Sequence, residues 1–552
     1  MTSSLHPLDV LQGYRLGSRQ ATTELQRPDT HGIHIDFQVL NLIPLVETQP
    51  GLAIILTGTA GDGKTYLAYR LIEALDLDQY AVLAAQSNGG YDHDGVFIDL
   101  DLSAGVLSAE RVARLHRALT TPQRLTLICA NEGKLADLEE RLRDQYAARV
   151  PEAILRVNLS RRALVHPDAW QNVLRGVLGG PLWHVPLDEG APLAWNRAWL
   201  SDAGVAGRLR RYLLLPYLLG EPITVREMLS FLAYALGGGL DSRHLEALPA
   251  SERLRYLLFN TIFSEPDGYT HGGRAMPTEK LLWWLFRFDP AAQASPETDL
   301  QLLVDLAALD PPAELLAMWR SDLVVQAGEQ GDAAYRQRLG RFMRYARRWY
   351  ALASDAGHAA YFPFRHFDHY LSALGAPAAD LDAQVPPLIQ GLNLLLSGGQ
   401  VDEDYQLKLF YLPTDGARQI GAIYSTGAGM DVLQDDLYLE TDLTLDLTDA
   451  SGDAYLERMP RRLYLCYRPQ PDIRLPVSLA LYEVLLSAAN PIGGFPATLW
   501  ARERDAVVRF MNALNRVVRP RGPVAQFTIQ LGETSRLHLV HRAKQKQIDV
   551  SV

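Results

Sequence analysis

The sequence predicts an α/β chain with a parallel-sheet core, followed by a helical region and a mixed α+β C-terminal domain. An apolar run at 52–56 is followed at once by a glycine-rich stretch at 58–65 and an amphipathic run at 65–75, the order strand, loop, helix. Apolar runs recur at 80–85, 96–100, 125–130 and 153–159, with helical patterns at 109–119 and 134–148 between them. Alternation of this kind is what a parallel sheet with crossover helices requires. Beyond Gly399 the texture changes to short strand-like runs.

The first loop carries the most chemistry. Gly58, Thr59, Ala60, Gly61, Asp62, Gly63, Lys64 and Thr65 complete the pattern G-x-x-x-x-G-K-[ST], with Tyr66 next in line. The glycines let backbone N–H groups approach a polyphosphate, Lys64 neutralises its terminal charge, and Thr65 offers a hydroxyl to Mg²⁺ at the start of the following helix. The strand, loop and helix together predict a P-loop NTPase core with ATP and Mg²⁺ as cofactors. Neither the base nor hydrolysis follows from the loop alone.

The remaining elements follow in order. Residues 1–35 are a polar, weakly periodic N-terminal arm, and 37–46 reads as a short helix before the first strand. The core is expected over 36–205. A helical lid is expected over 206–295, including a helix at 224–236 that stops at Gly237, Gly238 and Gly239. A helical linker domain follows over 296–395, with a Pro/Ala-rich break at 376–387. The mixed α+β domain covers 396–552, with strands at 406–412, 419–424, 437–447, 462–467, 525–531 and 537–541 and helices at 477–489 and 498–518.

Composition bounds the function. At 552 residues, 48% hydrophobic and 21% charged, the chain is expected to be a folded, soluble, multidomain protein. No segment is apolar and long enough to span a bilayer, and residues 1–10 lack the layout of a secretory signal. Two cysteines, Cys129 and Cys466, argue against a disulfide framework and fit a reducing cytoplasm. A net charge of -11 gives no global attraction to nucleic acid, so any DNA contact must use a local basic patch.

Hydrolysis needs a carboxylate near Mg²⁺ and a second acid that activates water. Two strand ends compete. The run at 96–101 carries Asp99 and Asp101, and the run at 125–133 ends in Asn131 and Glu132. In one arrangement an aspartate of the first run is the metal-side residue and Asn131 senses the γ-phosphate. In the other, Glu132 is the catalytic base and Asn131 holds a metal-bound water less strongly than an aspartate would. The sequence reading favours Glu132 as base and keeps Asp101 as the metal-side alternative, with strand-end capping as the plain structural role for either. Asn158 is a candidate sensor, and Arg161, Arg162 and Arg226 are candidate phosphate-reaching arginines in the same or a neighbouring subunit.

Arg336, Arg338, Arg341, Arg344, Arg347 and Arg348 crowd one helical pattern, a choice between phosphate contact and a solvated or domain-facing surface. Arg516, Arg519, Arg521, Arg536, Arg542, Lys544 and Lys546 form a loose basic zone. The aromatic run at 361–370 reads more readily as core than as a base-stacking surface. Asp431, Asp435, Asp436 and Glu440 read as a solvated acidic hairpin.

The runs at 55–65 and 128–135 and the helix at 224–239 resemble the DptF family of DNA phosphorothioation-dependent restriction proteins and related prokaryotic defence ATPases. The similarity covers roughly 51–289. It implies an ATPase subunit that works with other subunits of a defence or restriction complex on foreign DNA. A nucleotide-gated scaffold and a DNA-translocating motor are the alternatives. Arginines supplied across subunits would require a homo-oligomer.

Overall fold

The computed structural model describes residues 6–15, 33–49, 51–87, 89–104, 106–121, 123–146, 154–179, 183, 187–188, 190–268, 277, 279–323, 332–410, 423–425, 431–445, 452–489, 497–518, 524–531, 535–542 and 547–551. Packing divides the chain into two units. The first comprises 1–217, 221–363 and 448–459, and the second 218–220, 364–447 and 460–552.

The first unit is built on a sheet of strands β1 (Ala53–Thr57), β2 (Tyr91–His93), β3 (Val96–Asp99), β4 (Leu125–Cys129) and β5 (Leu155–Asn158), in spatial order β2-β3-β4-β1-β5. All neighbours are parallel except the edge hairpin β2–β3. Every residue of β1 and β4 is buried, which is why both strands read as unbroken apolar runs rather than alternating ones. On one face, Ile55 and Ile128 meet Val112, Leu115 and Ala118 of the helix Ala109–Thr120 and Leu135, Leu138 and Leu142 of the helix Glu132–Tyr146. Each fully buried Leu, Ile or Val there contributes about 1.5–3 kcal/mol. The helix Lys64–Ala74 buries Leu67, Ala68, Leu71 and Ile72 in its turn. The α/β class and its mostly parallel sheet are therefore as expected.

One core element differs. The run at 80–85 is not a strand but part of a helix, Gln79–Gln86. Asp78 caps it, its side chain accepting the amides of Tyr80 and Ala81, and only Val82 of the segment is buried. A helix nucleated by a cap and needing one apolar contact outcompetes a strand with no buried face to fill.

The rest of the unit is helical. The helix Val225–Gly237 opens with a reciprocal capping box between Thr224 and Glu227 and closes on Gly238 at φ 57, the left-handed stop its glycines predict. In the helix Asp332–Ala353, Arg344, Arg347 and Arg348 turn inward, while Arg336 is exposed. Arg347 is paired with Asp299 at 2.8 Å, Arg344 with Glu265 at 3.1 Å, and Arg348 with Asp289 at 2.6 Å and Glu265 at 2.7 Å. Neither sequence reading of that cluster described an internal charge network. The expected linker domain 296–395 is itself divided, its part up to 363 falling in the first unit.

The second unit contains β6 (Gln406–Leu407), β7 (Ile423–Ser425), β8 (Val432–Leu433), β9 (Leu437–Thr441), β10 (Leu463–Tyr467), β11 (Arg474–Val477), β12 (Val524–Leu531), β13 (Ser535–Arg542) and β14 (Gln547–Ser551). They form antiparallel sheets β11-β10-β9, β14-β13-β12-β7 and β6-β8. The strand expected over 437–447 turns after Thr441 into the helix Asp442–Leu445, where Asp442 accepts the amide of Arg461. Asp431 is not solvated: it is buried against Lys408 at 2.9 Å. Tyr361, Phe364, Phe367 and Tyr370 are core residues. Arg519, Arg521, Lys544 and Lys546 lie outside the described residues. Among the described residues, no helix is long and apolar enough to cross a membrane, and no cluster of three or more His, Cys, Asp or Glu is placed to hold a metal.

Candidate functional site

The loop between β1 and the helix Lys64–Ala74 is bent by three glycines in the left-handed region, Gly58 at φ 141, Gly61 at φ 94 and Gly63 at φ 87. A Cβ on Gly58 would lie 2.6 Å from the Asp62 carboxylate and push it from its loop contacts, and the backbone there has a conformation that favours glycine. Asp62 is only 4% exposed, and its carboxylate faces the loop itself. Its Oδ2 accepts from the Thr59 amide at 2.5 Å, the Thr59 hydroxyl at 2.9 Å and the Ser160 hydroxyl at 2.7 Å. The Asp of the loop is thus a brace tying it to the end of β5.

Lys64 folds back over the loop, its ammonium donating to the carbonyls of Gly58 at 3.0 Å and Thr59 at 2.7 Å. Burial pulls this lysine below the usual range, with Asp62, Cys129 and Asp101 partly restoring it. Ala60, Gly61, Gly63, Lys64, Thr65 and Tyr66 line a cavity of about 330 Å³. Asp101, Asn131 and Arg226 line the same cavity, and Ile33, Ile35, Phe37 and Leu229 give it an apolar side. Tyr66 is fixed by accepting the Ile35 amide at 3.1 Å, and the Arg226 amide donates to the Gly61 carbonyl at 3.1 Å.

The two candidate strand ends are resolved into different roles. Asp99 is buried in a two-pronged pairing with Arg111, at 2.8 Å and 3.0 Å, which opposes the upward pull of burial on its carboxyl. It holds β3 to the next helix rather than facing the cavity. Asp101 faces the cavity, with one carboxylate oxygen accepting the Ser103 amide at 2.9 Å. Asn131 caps the helix Glu132–Tyr146 by accepting the Lys134 amide at 2.8 Å while also lining the cavity. Glu132 does not line the cavity; its carboxylate accepts the Asn158 side-chain amide, whose oxygen accepts the Ser160 amide at 3.0 Å.

Two of the three candidate arginines have partners within the first unit. Arg161 pairs with Asp453 at 3.0 Å. Arg162 is 5% exposed, stacks over the Phe37 ring at 3.9 Å and donates to the Asp62 carbonyl at 2.7 Å. Burial pulls Arg162 down to about 10, with Glu457 and Asp62 opposing the shift. Ser160, Phe37, Asp453 and Glu457 were missed from sequence, and only Ser160, beside a candidate strand end, had a local signal.

Thr65 and Asp101 bring a hydroxyl and a carboxylate to a cavity that the half-buried Lys64 ammonium also lines. That donor set fits Mg²⁺ carrying phosphate, since Mg²⁺ is held by one or two protein oxygens with water and phosphate completing its shell. These elements define an α/β protein with a mostly parallel sheet and a glycine-bent loop walling a polar-ended cavity. Comparison of the chain with protein-family models, curated proteins and solved structures finds no match.

Proposed function

We propose that the chain is a P-loop ATPase that takes ATP with Mg²⁺ in this cavity and serves as a subunit of a prokaryotic antiphage or restriction complex acting on DNA. The observation that carries the nucleotide reading is the Lys64 ammonium bent onto two loop carbonyls in a cavity that Asp101 also lines. A phosphate replaces weak carbonyl partners with charged ones, so Lys64 exchanges contacts at a gain. The apolar side around Ile33, Ile35 and Phe37 suits the faces of a purine. Asp101 is the residue for the metal side and Asn131 for sensing the γ-phosphate, because both line the cavity. This reverses the preference for Glu132 drawn from sequence. The defence role rests on the resemblance of the loop, the 128–135 strand end and the 224–239 helix alone.

A second reading, a nucleotide-gated binding protein with slow hydrolysis, is favoured by one observation. Asp101 is the cavity's one carboxylate among the described residues, and Glu132 is held by Asn158. A single acid occupied with the metal leaves none to activate water.

ATP binding and turnover, with and without duplex DNA, for wild type and Lys64→Ala test both readings. Loss of a charge-assisted contact predicts roughly ten- to hundredfold weaker binding in the variant. Turnover raised by DNA supports the ATPase, and tight binding without turnover supports the gate. Equal ATP binding by wild type and variant overturns the site.

A further inference from the structure

Between stretches of the second unit the chain contributes to the first a segment whose described residues are 452–459. Its attachments converge behind the phosphate loop. Gly452 passes so close to β5 that a Cβ would lie 1.9 Å from the Arg156 carbonyl, which only glycine permits. Asp453 pairs with Arg161 at 3.0 Å. Glu457 is 3% exposed, accepts the Gln38 amide at 2.7 Å through Oε1, and through its backbone carbonyl accepts the Ala163 amide at 2.7 Å. Its Oε2 and the Nε of Arg162 are both buried without a hydrogen-bond partner among the described residues, so the attraction between them is charge on charge.

We infer that this strap is a clamp on the nucleotide site, and that Glu457 and Arg162 are positioning residues that set the conformation of the phosphate loop. The inference rests on the nucleotide reading above. Glu457 supports a buried guanidinium that has few other anions near it. Arg162 then holds the Asp62 carbonyl at 2.7 Å from behind while Phe37, a cavity-wall residue, stacks on its face. Asp62 in turn carries the Thr59 amide and hydroxyl. The Glu457 carboxylate thereby reaches the loop amides through two side chains. Displacement of the strap alters nucleotide affinity, and nucleotide binding tightens the strap in return.

The test uses the full chain with Glu457→Gln, which keeps an acceptor for Gln38, and the pair Arg162→Met with Glu457→Gln, which removes both charges. A merely structural ion pair is repaired by neutralising both members. The clamp is not, because the Asp62 carbonyl still lacks its donor. The double variant is therefore expected to regain the wild-type unfolding midpoint while amides 58–63 exchange hydrogen roughly tenfold faster and ATP binds roughly tenfold more weakly. Arg162→Lys, which retains a donor, should recover part of both. Wild-type exchange and affinity in the double variant overturn the clamp. If that variant fails to fold, Glu457→Gln alone reads the same exchange, and unchanged protection there overturns it equally. Wild-type protein that binds no ATP defeats the nucleotide reading, while the exchange measurement still decides the clamp.

Discussion

At the residue scale, what was legible is what local pattern dictates. Gly58, Gly63, Lys64 and Thr65 were named from spacing because the turn needs left-handed backbone and the phosphate needs a cation within a few residues. Asp62 and Arg162 were named too, but their roles were hidden, since burial is set by distant partners such as Phe37, Ser160 and Glu457. The lysine supports a prediction of its own. Burial leaves its folded pKa below the unfolded one, so the charged form costs stability at neutral pH. That cost fades as pH rises through the depressed value toward that of an ordinary lysine. A polyphosphate prefers the charged form. ATP affinity is expected to decline on the alkaline side before ordinary lysines titrate, while the free protein is slightly stabilised across the same window. Calorimetric titrations at successive alkaline pH values check this, and an affinity flat until the ordinary lysine range would contradict it.

At the element scale, β1, β4 and the helix Lys64–Ala74 were readable because burial on both faces or on one stripe leaves a periodic trace. The helix Gln79–Gln86 was not, because a short alanine-rich run has the same composition in either state and the deciding cap, Asp78, lies outside it. The arginine-rich helix shows the same limit from the other side. Arg348 is 0% exposed, and its acid partners Asp289 and Glu265 come from segments 59 and 83 residues away. Burial alone would raise the Glu265 carboxyl, yet Arg348 and Arg344 together bring it below the usual range. Arg348→Met strands two buried carboxylates and is expected to lower unfolding free energy by about 3–5 kcal/mol. Adding Asp289→Leu should recover part of that loss, and added salt should change little because the pair is shielded from ions. Urea unfolding of the single and double variants measures it; a single variant as stable as wild type would show the network carries no stability.

At the scale of the whole chain, sequence texture placed the C-terminal boundary near residue 396, whereas packing divides the chain between 363 and 364 and reclaims 448–459 for the first unit. No window of composition reveals this, because the division follows from pairing between Arg161 and Asp453, 292 residues apart, and between Gln38 and Glu457, 419 apart. A chain that must return to complete an earlier unit cannot finish that unit until most of it is available. Removal of the later part therefore has a defined consequence. A fragment of residues 1–363 retains the parallel sheet, the phosphate loop and every cavity-lining residue, yet lacks Asp453 and Glu457. Arg161 loses its acid, the buried Arg162 guanidinium loses its main electrostatic support, and the Gln38 amide loses its acceptor. One buried charge left uncompensated costs about 3–5 kcal/mol, a large share of the stability of an ordinary domain. The fragment is expected to unfold at lower denaturant than the same fragment carrying 448–459 on a flexible C-terminal linker. Restoration should fail when the grafted segment carries Glu457→Gln together with Asp453→Asn. Equal midpoints for the bare and grafted fragments would mean that the first unit is complete without its strap.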